Sequence, residues 1–420
     1  MFYNLTLSHN GFTLYKDHIK SYNGEIKMGI KVALFGAGGY ANSYVNGLLE
    51  LVKENEVEFV ACVVRTPSKV ADNVAKLEAA GVKIYPNADA LYADWQDKLD
   101  LVCFPTGISS HESLTCDALK RGLNVLCEKP VAGSVQAVKN MIAAEKEAGK
   151  FVMIGYQHMA AYDILDVKRL IASGELGKVK KIVVAGIWPR ADVYYARNNW
   201  AGVKYSDGEP VFDSPINNAF AHYLNISLFF AEQQFDKNAT PVEMSAEMYR
   251  ARKNIETFDT VALNLKTSSG VEIINMYTHA WNVSRGPFIR VECEDGVINW
   301  GNCRSWAAYK NGVKIAGKET TDSRMPMFRN ALECVKDPSA FHCTLRLAGV
   351  QTFCIEEMHK NFEINAVDEY TTRDEESGQI SLADVERVWM ECYEHGVMPS
   401  ATGVAWAKKA PMIKLPEMGF

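Results

Sequence analysis

From residue 29 onward, two rhythms of apolar and polar positions take turns along the chain. Unbroken apolar runs of strand length occur at IKVALF (30–35), EFVACVV (58–64), VKIY (82–85), LDLVCFP (99–105), NVLCEKP (124–130) and KFVMIGY (150–156). Between them, helical spacing predicts helices near 40–54, 67–80, 88–97, 110–121 and 134–148. Strands of Val, Ile, Leu and Phe with no polar alternation need a sheet covered on both faces. The βαβα order predicts a parallel, doubly wound sheet with right-handed crossovers.

After residue 156 the pattern changes. A helix at 161–173 leads into KVKKIVVAGIW (178–188), followed by a loop rich in Tyr, Arg, Asn and Trp. DSPINNAFAHYLN (213–225) opens like a helix, with Asp213 or Ser214 as its cap and Pro215 in its first turn. From 241 to 315, turn signals at SSG, EDG and KNG predict an antiparallel sheet of four to six strands. Helical patterns return at 325–336, 344–362 and 382–395. The expected class is α/β. A Rossmann doubly wound domain over 28–155 is followed by an α+β domain over 156–420, built on a mostly antiparallel sheet, for substrate binding and oligomerisation. Residues 1–27 stand before Met28 as an N-terminal extension.

Composition narrows the function classes. The 420 residues are 48% hydrophobic and 23% charged, with a net charge of −6, so a core can form without a disulfide or structural metal. No basic run suggests nucleic acid, and no apolar run approaches membrane-spanning length. Residues 1–27 lack the apolar segment of a secretion signal. The ten cysteines are scattered without a CxxC pair and read as buried thiols in a reducing compartment, which together predicts the cytoplasm. No His, Cys and Asp cluster has metal-ligand spacing, so no metal is expected.

GAGGYA (36–41) follows the first strand directly and opens the next helix. Gly36 permits the tight turn, Gly38 lets the backbone approach a pyrophosphate, and Ala41 is small enough for close helix–strand packing. Gly39 and Tyr40 complete the loop, and the helix N-terminus favours phosphate. At the end of the second strand stand Arg65, Thr66, Ser68 and Lys69, with no acid to hold a ribose 2′-hydroxyl. Glu54, Glu56 and Glu58 lie at that strand's other end. The cofactor expected is therefore NAD(P), with NADP favoured over NAD.

CEKP (127–130) ends a strand on the side where such sheets bind ligands. With GAGGYA, PTGISSH (105–111) and GYQHM (155–159), the chain resembles the glucose–fructose oxidoreductase / inositol dehydrogenase / MocA (Gfo/Idh/MocA) family of sugar and polyol oxidoreductases. The resemblance runs from about Met28 to the C-terminus and is looser beyond the first 160 residues or so. Thr106 and His111 match that family's T-P-N-x-x-H pattern, while Gly107 and Ile108 depart from it. The resemblance implies that Lys129 sits between nicotinamide and the substrate hydroxyl, that a histidine of the second domain takes the proton, and that Glu128 supports the lysine. It also places Thr106, His111 and Glu128 around the cofactor.

His222 is the candidate base. On a helix, Asn218, His222 and Asn225 share one face. Family members commonly carry Asp at both flanking positions, so His222 is expected to be a weaker base unless Asp213 or another carboxylate approaches it. Asn218 and Asn225 then bind substrate hydroxyls or orient the imidazole. Further substrate candidates are Tyr156, His158, Arg190, Arg197 and Trp200. The loop WPRADVYYARNNWAG (188–202) joins flat apolar faces to many donors, which suits carbohydrate, and its arginines suit a carboxylate or phosphate. His279 reads as structural.

The expected activity is hydride transfer between nicotinamide and a carbinol carbon of a sugar, polyol or sugar derivative. Two other readings are a glycosidase that holds NAD and oxidises its sugar transiently, and a non-catalytic dinucleotide-binding sensor. A homodimer or homotetramer is expected through a sheet face short of covering helices.

Overall fold

Six strands build the first sheet: β1 (Ile30–Phe35), β2 (Val57–Val63), β3 (Lys83–Tyr85), β4 (Leu101–Phe104), β5 (Asn124–Cys127) and β6 (Val152–Ile154). In this computed structural model, which describes residues 29–420 except 303, 321 and 322, they run in the order β3-β2-β1-β4-β5-β6. The N-terminal extension lies outside the described residues. Every neighbouring pair in this sheet is parallel. The order reverses between β1 and β4, which opens a crevice at the C-terminal strand ends.

A second sheet has ten strands. Val179–Ile187 lies inside it, parallel to Glu272–Thr278 and antiparallel to Arg285–Cys293. It is larger than expected because residues 241–319 alone supply seven strands, and Val179–Ile187, Ile364–Ala366 and Ile413–Lys414 join from elsewhere in the chain. Its other pairs are antiparallel apart from Ile364–Ala366 on Pro241–Arg250.

One continuous core joins the two sheets, from Val102 and Val125 through Phe220 and Phe229 to Leu263 and Ile289. The helix Ala221–Ala231 runs through this core with all eleven residues buried. A helix buried on every side carries no amphipathic stripe to mark its bounds.

The C-terminal half also returns to the first domain. Helix Arg324–Lys336 packs on the helix Ala41–Lys53, where the Phe328 ring fills the space above Gly47 and meets Tyr44 edge-on at 4.9 Å. A Cβ on Gly47 would lie 2.2 Å from Phe328 Cε2, so only glycine admits that ring.

The second sheet's outer face differs from expectation. Val183, Ala185, Ile187, Ala262, Ile274 and Met276 are covered by helix Val385–His395 and by the chain that follows it, with Trp389 and Trp406 buried. The C-terminal chain thus covers the part of this face formed by Val179–Ile187, Thr260–Thr267 and Glu272–Thr278.

Candidate active site

The nucleotide loop has the backbone its sequence requires. Gly36 (φ +100°) and Gly39 (φ +57°) occupy positive φ, and the Gly36 amide donates to the Val63 carbonyl at 2.8 Å. A Cβ on Gly39 would meet nothing within 4 Å, leaving the loop open above the helix. Ala41 is 2% exposed and packs beneath the turn. The helix starts without a side-chain cap and without an acid in its first turn, so its positive end is left for a phosphate. Tyr40 Oη donates to Gln157 Oε1 at 3.0 Å, which ties this loop to the segment after β6.

Arg65, Thr66, Ser68 and Lys69 are exposed beyond the end of β2. The three glutamates are engaged at the far end of the strand, Glu54 and Glu56 by Arg329 and Glu58 by the Gly29 amide.

The lysine loop is built from below. Glu128 is 3% exposed, and its carboxylate accepts from Tyr44 Oη at 2.9 Å and from the Lys129 amide at 3.0 Å. Burial raises its pKa. Gly155 makes the room, because a Cβ there would lie 2.8 Å from Glu128 Oε1. His111, fully buried, meets the Pro130 carbonyl with Nδ1 (2.9 Å) and the Thr106 carbonyl with Nε2 (3.2 Å).

Glu128 and His111, which the resemblance places around the cofactor, hold their polar atoms on the protein and shape the two loops; Glu128 supports the lysine through its amide. Thr106 is half-buried at the crevice edge and accepts from Ser110 Oγ at 2.9 Å.

Lys129 Nζ donates to the Asn218 carbonyl at 3.0 Å and lies 3.4 Å from Asn218 Oδ1. Burial draws the lysine's pKa below its ordinary value; Glu128 and Asp213 oppose that and Arg197 adds to it.

The segment before His222 is not helical as expected. The helix begins at Ala221, and residues 214–220 form successive turns. Asn217 accounts for this. Its Nδ2 donates to the Val211 and Phe212 carbonyls at 2.9 and 3.3 Å, while Gln351 donates to its Oδ1 at 3.0 Å. Asn218 therefore leaves the helical face. Its Nδ2 donates to Asp213 Oδ1 at 2.7 Å and to Tyr194 Oη at 3.3 Å.

Asn225 is also elsewhere. It is fully buried, accepts from Asn238 Nδ2 at 3.0 Å and points its own Nδ2 at Cys343 Sγ. It neither orients His222 nor reaches a substrate.

His222 is 9% exposed, and its Nδ1 is buried with no hydrogen-bond partner. Its ring lies 4.9 Å from His158 and meets Tyr156 edge-on at 5.6 Å. Burial first, then the nearby His158, Lys129 and Arg324, hold its pKa well below the usual histidine range. These surroundings favour the neutral imidazole and weaken it as a base. Tyr156 is 1% exposed with its hydroxyl unpartnered, so it acts here as a wall of the His222 site.

Tyr194, which accepts from Asn218, is overlaid by two guanidiniums, Arg197 at 3.5 Å and Arg190 at 4.9 Å from the ring centre. Arg197 also lies 4.9 Å from the Trp200 ring and 3.8 Å from Asp213 Oδ2. His279 is 3% exposed; its Nδ1 faces the Trp188 carbonyl at 2.7 Å, and burial pushes its pKa to about 3.

Contacts thus link Lys129 through Asn218 and Tyr194 to Arg190, Arg197 and Trp200, while His222, with His158 and Tyr156 against its ring, lies close enough to feel the lysine's charge. Sequence reasoning treated Asp213 as a cap or as a carboxylate that could approach His222, and missed its contact with Asn218, the residue that meets the lysine. The contact spans five residues through a turn, which helical periodicity cannot reveal.

A glycine loop open to a phosphate at a topological switch point, with a lysine and a histidine beyond it, defines a Rossmann dinucleotide-binding fold joined to a second, mostly antiparallel sheet. Residues 30–156 match the oxidoreductase family with an NAD-binding Rossmann fold, and residues 164–299 match the C-terminal domain of that family. The chain belongs to the Gfo/Idh/MocA oxidoreductase family.

Among its relatives, an uncharacterised oxidoreductase of Schizosaccharomyces pombe is 29% identical over 268 residues, 61% of this chain and 66% of that one. Inositol 2-dehydrogenase of Klebsiella pneumoniae (strain 342) is 25% identical over 201 residues, 47% of this chain and 53% of that enzyme. The matches thus span about half to two thirds of these relatives' lengths. Two solved structures share the fold. The WlbA dehydrogenase of Bordetella pertussis, in complex with NADH and UDP-GlcNAcA, has a TM-score of 0.65 at 18% identity, covering 79% of this chain and 96% of that one. The aldose-aldose oxidoreductase of Caulobacter crescentus has a TM-score of 0.64 at 20% identity, covering 79% and 97%.

Proposed function

We propose that this protein transfers hydride between a nicotinamide dinucleotide and a carbinol carbon of a sugar, polyol or sugar derivative. The observation that carries this reading is the Lys129–Asn218 contact at the end of β5, beside a buried, neutral His222 and across from the open GAGGYA loop. Gly36, Gly38, Gly39, Tyr40 and Ala41 would hold the pyrophosphate, and Thr106 would border the nicotinamide side. Arg65, Thr66 and Ser68, with Lys69, favour a 2′-phosphate and hence NADP.

Bound nicotinamide supplies the hydride acceptor. Lys129 aligns and polarises the substrate oxygen, and His222 receives the hydroxyl proton as the C–H bond breaks. Arg190, Arg197 and Trp200 fit hydroxyls and the carboxylate or phosphate of an acidic sugar derivative. His158 packs beside His222 and helps to hold its ring.

The test is absorbance near 340 nm with NADP⁺ and NAD⁺ across sugars, polyols and sugar acids. Reduction of added nucleotide supports the reading. A nucleotide that co-purifies and is not consumed while a glycoside is cleaved would replace it with the glycosidase reading, and binding without any turnover would replace it with a sensor.

A further inference from the structure

The lysine centre contains an amide that can be placed in only one way. Asn218 Nδ2 has two hydrogens, and both have acceptors: Asp213 Oδ1 at 2.7 Å and Tyr194 Oη at 3.3 Å. Oδ1 of that amide and the backbone oxygen of the same residue are then left facing Lys129 Nζ. Asp213 is itself locked. It is 3% exposed, its Oδ2 accepts from the Gly202 amide at 2.7 Å, and Arg197 stands 3.8 Å from the same oxygen.

We propose that Asp213 is the positioning carboxylate of the Lys129 centre, acting through the side-chain amide of Asn218. This inference rests on the proposed catalytic role of Lys129.

Donor and acceptor counting makes the proposal specific. In Asp213→Asn the new amide oxygen must still accept from the Gly202 amide, so its NH₂ faces Asn218. Asn218 then flips and turns its own NH₂ toward the lysine ammonium, donor against donor. In Asn218→Asp two carboxylates meet at hydrogen-bond distance and share a proton. In the exchange Asp213→Asn/Asn218→Asp every group is satisfied again. The amide at 213 accepts from Gly202 and donates to position 218, while the carboxylate at 218 accepts from Lys129 and from the Tyr194 hydroxyl. A residue that merely filled space would not be rescued by moving its charge.

The charged and titratable groups acting on Lys129 or feeling its charge are Glu128, Asp213, Arg197, His111 and His222. None but Asp213 changes in the first variant. Two readouts on the intact protein separate this proposal from the proposed activity. One is the pH profile of Lys129 acetylation by acetic anhydride, read by peptide mass spectrometry. The other is the pH profile of kcat/KM with a substrate found in the absorbance panel.

In Asp213→Asn the midpoint of Lys129 labelling is expected to fall by about one pH unit. The kcat/KM should fall about tenfold or more. The exchange variant is expected to restore both. An unchanged labelling midpoint in Asp213→Asn, or an exchange variant no better than the single one, overturns the proposal. If no substrate is turned over by the wild type, the labelling profile still decides it, because it needs no reaction.

Discussion

His359 offers a test of the packing away from the reacting centre. Its ring is stacked between Phe212 (centroids 4.3 Å apart, planes at 15°) and Phe258 (5.4 Å, 24°), and its Nε2 is buried without a partner. Burial, with Lys204 nearby, pushes its pKa down to about 3. An unfolded histidine titrates near 6.5, so below that pH the unfolded chain binds a proton that the folded one refuses. The stabilisation is complete above pH 6.5 and is lost as pH falls, up to about 1.4 kcal/mol per unit, toward the folded value.

Between pH 7 and pH 5 this one ring removes roughly 2 kcal/mol if fully enclosed, and about 1–2 kcal/mol with its partly exposed edge screened. His359→Phe keeps the stack and deletes the titration. Urea denaturation of both proteins at pH 7 and pH 5 measures the difference directly. The wild type should lose about 1–2 kcal/mol more than the variant on acidification. Parallel losses in the two proteins would refute the reasoning that the sandwich excludes the protonated ring.

Three further expectations concern the site and its supports. Gly155→Ala drives a methyl into the Glu128 carboxylate that holds the Lys129 amide; thermal unfolding should report a cost of about 1–3 kcal/mol, and kcat should fall with it. Arg65→Ala should raise the KM for NADP⁺ about tenfold while leaving that for NAD⁺ nearly unchanged, and equal effects on both would remove the 2′-phosphate argument. Trp389, fully buried under the second sheet, should cost about 3–5 kcal/mol as Trp389→Ala. If that variant also gains a higher oligomeric state by light scattering, the C-terminal cover is what keeps the face from self-association.

The Rossmann half was legible because its signals are local. Unbroken strands, GAGGYA and CEKP each depend on neighbours in sequence, and the structure finds each at the expected strand end. The site in the second domain was less legible for two physical reasons. Helical spacing extended the His222 helix back to Asp213, whereas the side chain of Asn217, held by Gln351 from a distant helix, keeps that stretch in turns. Asn225 keeps the spacing but faces Asn238 and Cys343. Polar residues in a wholly buried helix can serve packing as well as chemistry, and periodicity does not distinguish the two. The covered outer face depended on tertiary packing of 385–407, whose helix was foreseen but whose docking was not.

The most direct test of the central claim follows a label. With a substrate carrying deuterium on the reacting carbinol carbon, the account predicts that the reduced nucleotide gains one mass unit in the wild type. It also predicts that Lys129→Met and His222→Gln, both folded by circular dichroism, transfer deuterium at least about a hundredfold more slowly. Reduced nucleotide without the label, or full transfer in both variants, would contradict the assignment of hydride chemistry to this lysine and histidine.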